Sequence, residues 1–156
     1  MEWFFENFSP SGRTNRARYW LYSIVYGILW ATAWVVFLFS VPRLTALGGV
    51  GTALVIVVGL ALVVAGLPIL FISIRRLHDR EKSGFWIFLF IFAPNLLSGV
   101  AEAITDPTAA LVLGLASIAI SIWAFVELGC LKGTTGPNDF GPDPLENPAG
   151  TAAVFQ

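Results

Sequence analysis

The feature that most constrains this chain is a set of long stretches with no charge in them: Trp20 to Val41 and Val50 to Ile74 carry no Asp, Glu, Lys or Arg. Phe85 to Ala101 and Ala109 to Val126 are also free of charge, and they extend to Ile104 past Glu102 and to Leu131 past Glu127. A helix needs about 20 mostly apolar residues to cross a bilayer's hydrocarbon. Backbone polar groups in lipid must also be satisfied within the segment, which selects helix over open strand. The sequence therefore predicts an all-α integral membrane fold, with four transmembrane helices over 20–41, 50–74, 85–104 and 109–131. Short connections make consecutive helices antiparallel neighbours in one bundle. A polar and aromatic segment, 1–19, precedes the bundle, and a Gly/Pro-rich tail, 132–156, follows it. The chain is 12% charged, about half the share in soluble domains. The first apolar run is too long for the core of a cleaved signal peptide, so the N-terminal segment is expected to be retained.

Lys and Arg set the orientation. Arg13, Arg16 and Arg18 precede the first span; Arg75, Arg76, Arg80 and Lys82 lie between the second and third; Lys132 follows the fourth. In a four-span topology these regions share one side, opposed only by Arg43. Both termini are expected to be cytoplasmic, in a multi-pass protein of a bacterial inner (plasma) membrane. Trp20 and Trp86 lie just inside the basic segments, where indole rings favour the headgroup layer. "MEWFF" and Phe8, interleaved with Glu2, Glu6 and Asn7, suit a short helix lying in the interface. The stretch after Pro144 has no sustained pattern and is expected to be disordered.

The segment "RRLHDREKSGFW", Arg75 to Trp86, holds the only histidine of the chain. On a helix Arg75, His78 and Asp79 share one face, and Arg76 and Arg80 form a stripe beside it. Asp79 can accept hydrogen bonds from His78, Arg75 or Arg76. Ser83 is placed to cap the third helix, with Gly84 permitting a tight start. If "SGRTNRARYW" continues the first helix, Arg13, Arg16 and Trp20 fall on one face. "LKGTTGPNDFGPDP" cannot be regular structure, because its glycines and prolines force turns that Asn138, Asp139 and Asp143 can cap. It is expected to fold back beneath the bundle, where Asp139 and Asp143 can meet the arginines. Two readings stand side by side: a shallow basic pocket with a structured lid, or a topogenic loop whose polar groups satisfy one another.

"GRTNRARYW", "RRLHDREKSGFW" and "KGTTGPNDFGPDP", in that order with helices between them, resemble three hallmark motifs of the bacterial inner-membrane family called domain of unknown function 805. The resemblance covers residues 8 to 144. Phe85 stands where that family usually has an aromatic such as Trp, and Phe140 where Tyr is common. The resemblance implies a fold and a location, but no activity.

Within the spans, Glu127 lies about one turn from the basic end of the fourth helix, with Arg75 or Arg76 its expected partner. Asn95, after Pro94, is expected to make an interhelical bond at a proline kink. Pro68 is expected to kink the second helix, and Gly59 and Gly66 to permit close helix packing. Cys130 reads as a small packing residue; a lone cysteine excludes a disulfide within the chain and a Cys-based metal site.

The function expected from these residues is a binding, regulatory or accessory membrane protein rather than an enzyme. Its basic face would hold an anionic phospholipid headgroup, a phosphorylated ligand or an acidic partner such as a larger membrane complex. The candidate ligand-binding residues are Arg13, Arg16, Arg75, Arg76, His78 and Asp79. Structural pairing is assigned to Glu127, Asn95, Ser83, Gly84, Asn138 and Asp143. No metal, cofactor or nucleic-acid partner is expected, and homo-oligomerisation is left open. The alternatives are a small transporter or channel component, or an interfacial enzyme with His78 as general base. No Gly-x-Ser-x-Gly elbow or phosphate-cradling loop supports the latter.

Overall fold

The computed structural model describes residues 9–146. The N-terminal interfacial helix expected from the sequence and the last ten residues of the expected C-terminal tail, 147–156, lie outside these residues. Among the described residues the fold is all-helical, with one isolated bridge between Asn138 and Gly141. The elements are α1 (Arg16–Thr45), α2 (Gly49–Ala65), α3 (Leu67–His78), a π-helical turn (Phe88–Phe92), α4 (Ala93–Ala103), α5 (Pro107–Phe125) and a second π-helical turn (Val126–Cys130). They form four helical columns. Three are long and apolar enough to cross a membrane: Arg16–Thr45, Gly49–His78 and Pro107–Cys130. The third column in chain order, Phe88–Ala103, is apolar but shorter than those three, and Pro107–Cys130 is the fourth column. The entry to the third column is made by turns that close Trp86 N–H onto Ser83 O and Ile87 N–H onto Gly84 O. It ends where Ile104 turns extended and Asp106 accepts the Thr108 and Ala109 N–H groups to cap α5.

The second column is broken at Gly66, because Pro68 in the first turn of α3 has no N–H to continue α2. Trp30 lies against the break and donates its Nε1–H to Leu62 O at 2.8 Å. A Cβ on Gly66 would stand 3.1 Å from Trp30 Nε1, and one on Gly59 3.3 Å from Phe37 Cζ, so both glycines serve close packing with α1. In the third column the π turn ends just before Pro94, and Ala93 N–H reaches back to Phe88 O. Asn95 makes no interhelical bond. It is exposed, and its Nδ2 donates to Ile91 O in its own column at 2.6 Å. The polar link between α4 and α5 is made by serines: Ser117 Oγ–H donates to Pro94 O at 2.9 Å and pairs with Ser98 Oγ at 2.9 Å.

Apolar side chains cover the outside of this bundle, and α1 has no fully buried residue. Lipid is as apolar as leucine, so little hydrophobic force drives the helices together in the membrane. The buried cluster of Leu77, Ile87, Phe90, Ala124 and Leu128 gathers where α3 ends, the third column begins and the fourth ends. The same end of the molecule carries the buried polar residues Arg13, Thr14, Arg76, Asp79 and Glu127. Tight packing is concentrated there, at the polar end of the bundle.

Candidate functional site

Three stretches converge at this end: the run into α1, the α3 C-terminus with its following loop, and the coil after the fourth column. The first holds Arg13, which precedes the helix rather than lying on it. Asn15 caps α1 by accepting the Arg18 N–H, so the expected face shared by Arg13, Arg16 and Trp20 does not form. Instead Thr14 is pinned to Arg75, its N–H donating to Arg75 O at 3.1 Å while Arg75 Nε donates to Thr14 Oγ1 at 3.0 Å.

Asp79 is the centre of the arrangement and is 2% exposed. Its Oδ1 accepts from Arg13 Nε at 3.1 Å and Nη2 at 3.0 Å, and its Oδ2 accepts from Arg76 Nη1. It accepts from neither His78 nor Arg75 among the described contacts. Two buried guanidinium groups from different segments thus share one buried carboxylate; the remaining partners of Arg76 are backbone carbonyls, and those of Arg13 are backbone carbonyls and Thr134 Oγ1 at 3.2 Å. Arg13 donates to Thr134 O and Gly136 O at 2.6 Å and to Gly141 O at 3.3 Å, gathering the C-terminal coil around itself. Arg76 donates to Leu128 O at 2.9 Å and to Leu131 O.

The carbonyls of Arg76 belong to a series. A helix ends with orphan carbonyls and about half a negative charge from its dipole. At the end of the fourth column, five successive carbonyls take a side-chain donor from elsewhere in the fold. Leu128 O and Leu131 O accept from Arg76, Gly129 O from Trp20 Nε1 at 2.9 Å, Cys130 O from Arg16 Nη1 at 2.9 Å, and Lys132 O from Arg80 Nη1 at 2.5 Å. The π turn widens this last stretch of helix and turns its carbonyls to the neighbours. Glu127, 5% exposed, pairs with Arg80 at 3.1 Å and Lys82 at 3.8 Å, not with Arg75 or Arg76. Arg76 points instead at Asp79 and the helix end, which leaves the loop cations to Glu127.

The coil after Leu131 is a folded strap. Thr134 N–H donates to Asp79 O at 2.8 Å, and Asn138 Nδ2 to His78 O at 2.9 Å and Thr134 Oγ1 at 3.1 Å. Asn138 Oδ1 accepts the Phe140 N–H at 2.9 Å, which brings the Phe140 ring over His78 with centroids 4.1 Å apart and planes 7° from parallel. His78 Nδ1 lies 3.1 Å from Gly12 O, where it donates, so the histidine joins the strap to the run into α1. Asp143 meets no arginine directly. Its carboxylate accepts the Gly136 and Leu145 N–H groups, each at 2.9 Å. Those bonds, the Leu145 one foremost, hold its carboxyl below the usual carboxylate range, with weaker help from the Arg13 and Lys132 charges. Asp139 is exposed. Ser83 is exposed and joins its turn through its carbonyl, while Gly84 is where the turn passes Ile74; a Cβ there would stand 2.9 Å from Ile74 Cγ2.

Beside the strap lies a cleft of about 520 Å³, bounded by Asn15, Arg16 and Ala17 on one side and by residues of the 132–146 coil on the other. Of the six candidate ligand-binding residues, Arg13, Arg76 and Asp79 are closed into the buried network, and Arg75 and His78 fasten segments together. Asp79 also borders the cleft, but Arg16 is the one exposed cation of the six that does so. Lys132 and Glu146, which the sequence reading did not single out as site residues, border it too. Only the fold brings residues 16, 132 and 146 together, and no spacing in the sequence marks that meeting.

No solved structure matches the chain. Two Escherichia coli K12 proteins are similar to it along most of their length. "Uncharacterized protein YiiR" is 29% identical over 136 residues, covering 87% of this chain and 86% of that protein. "Inner membrane protein YhaI" is 29% identical over 134 residues, covering 86% and 84%. The family profile described as "Protein of unknown function (DUF805)" matches residues 7–142. That stretch takes in all four helical columns, the buried Arg13–Asp79–Arg76 network and nearly all of the strap, and so the chain belongs to the DUF805 family of membrane proteins.

Proposed function

We propose that this is a non-enzymatic binding or accessory protein of the bacterial inner membrane, with both termini cytoplasmic, whose polar end holds a phosphate-bearing headgroup or ligand. The observation that carries this reading is the division of labour among the cations. Arg13 and Arg76 are consumed in building a rigid platform, while Arg16 and Lys132 stand exposed on the rim of a cleft in that platform. Arg16 uses Nη1 on Cys130 O and keeps the other side of its planar fork for an anion. Lys132 contributes a point charge across from it. The cleft volume lies within the range of small-ligand sites.

The location favours a lipid. Arg16 opens the first long apolar helix, and Lys132 follows the last turn of the fourth column. Both therefore stand at the boundary where apolar span gives way to polar chain, the level of headgroup phosphates. The relative named as an inner membrane protein supports the same compartment. A non-enzymatic role is supported by the engagement of His78, the only histidine, with Gly12 O and the Phe140 ring.

Native mass spectrometry of the protein released from nanodiscs of defined lipid tests this reading. Wild type is expected to retain phospholipid that the Arg16→Ala/Lys132→Ala variant loses by about tenfold or more in apparent affinity, given about 1 kcal/mol per Lys or Arg at an anionic surface. Equal retention by both, with unchanged thermal unfolding, would contradict it.

A further inference from the structure

We infer that the cleft selects a ligand carrying both a phosphate and a protonated amine, the chemistry of a phosphoethanolamine headgroup, over one that is only anionic. This rests on the phosphate-binding reading above and adds to it the identity of the second charge. The lining is not uniformly basic. Arg16 and Lys132 bring two positive groups, and Asp79, Asp143 and Glu146 bring three negative ones, of which Asp79 is already paired with Arg13 and Arg76. A site built for a purely anionic group would gain nothing from carboxylates on its rim, since each repels that group.

The other two acids are not equivalent. Asp143 has both carboxylate oxygens engaged, one on the Gly136 N–H and one on the Leu145 N–H, so it shapes the strap and adds only a background negative charge. Glu146 is exposed, and among the described residues its carboxylate makes no ion pair or hydrogen bond that would neutralise it. Glu146 thus brings a free carboxylate to the same lining as the free ammonium of Lys132 and the half-engaged guanidinium of Arg16. A zwitterion satisfies all three. Its phosphate takes the guanidinium fork of Arg16 and the ammonium of Lys132, and its amine donates to Glu146.

The N–H count matters. A primary ammonium has three donors to give to carboxylate and nearby carbonyls, and a quaternary choline has none. Apolar Ala17 and Leu145 on the same lining suit the glycerol end of a lipid, which lies next to its phosphate. The same headgroup chemistry exists in a soluble phosphoethanolamine, and the test separates the two sources.

The experiment is native mass spectrometry of the full chain released from nanodiscs of phosphatidylethanolamine, phosphatidylglycerol or phosphatidylcholine. It is repeated with Glu146→Gln, with Arg16→Ala/Lys132→Ala, and with soluble phosphoethanolamine added to the phosphatidylcholine sample. The inference expects phosphatidylethanolamine to be retained several-fold more than either other lipid. Glu146→Gln should erase that preference while leaving phosphatidylglycerol retention unchanged or raised, and the double variant should lose retention of every phospholipid. Binding of soluble phosphoethanolamine that Glu146→Gln weakens, with no lipid preference, keeps the chemistry and assigns it to a soluble ligand. Phosphatidylglycerol retained as well as or better than phosphatidylethanolamine by the wild type overturns this inference but leaves the phosphate reading standing. Retention indifferent to the double variant overturns both.

Discussion

Asp79 shows how a membrane protein can hold a polar end together when lipid supplies little force for assembly. Its carboxylate balances two guanidinium groups that arrive from segments 66 and three positions away in the chain. Removing one member of a buried ionic network costs about 3–5 kcal/mol, because the remaining charges stay buried and uncompensated. Asp79→Asn is therefore expected to lower the thermal unfolding midpoint in detergent markedly, while Arg18→Ala, an exposed control, leaves it within error. Gly133 belongs to the same account: a Cβ there would overlap both Asp79 carboxylate oxygens, so Gly133→Ala should destabilise by a comparable amount in the same assay. Asp143 predicts a pH dependence. Its folded-state carboxyl titrates below the ordinary range, so its hold on Gly136 and Leu145 is fully present above that range and is lost as pH falls through the folded value. Amide resonances of Gly136 and Leu145 should shift together on acidification, and Asp143→Asn should remove that titration.

At the scale of elements, the long charge-free stretches are legible because hydrocarbon tolerates only apolar helices, and the four columns fall where those stretches lie. Their ends and breaks are less legible. Pro68 marks the break at Gly66, as the missing N–H requires, but the π turns Phe88–Phe92 and Val126–Cys130 follow no periodicity in the sequence. Asn95 looks like the interhelical polar residue on composition alone, yet Pro94 and the π turn rotate it outward and leave the contact to Ser98 and Ser117. Ser117→Ala should cost roughly 0.6–1.7 kcal/mol, the range for interhelical hydrogen bonds in membranes, whereas Asn95→Ala should cost less. Steric trapping or unfolding in mixed micelles can compare the two.

At the scale of the molecule, the three polar segments do meet, as their shared side and the turn-rich coil suggest. The identity of the contacts was hidden. Within one helical segment Asp79 can choose among Arg75, Arg76 and His78, and only the approach of the first segment brings in Arg13. Asp139 and Asp143 look like the acids that would greet the arginines, but backbone N–H groups reach Asp143 first, and Glu127 takes the loop cations Arg80 and Lys82. The eight cations at this end against Arg43 at the other support a cytoplasmic platform. A fluorescent-protein fusion after the last residue should therefore fold and fluoresce, and an alkaline phosphatase inserted after Leu47 should be active. The reverse pattern would invert the topology.

One buried carboxylate, that of Asp79, joins the three segments into a single cooperative platform. Amide hydrogen exchange of the protein in nanodiscs, wild type beside Asp79→Ala, tests it most directly at Thr14, whose N–H donates to Arg75 O, and Thr134, whose N–H donates to Asp79 O. Both amides, on segments 120 residues apart, are expected to lose protection together in the variant while α2 and α5 keep theirs. Loss at Thr134 alone, with Thr14 still protected, would show that the segments fold independently and that Asp79 is only a local contact.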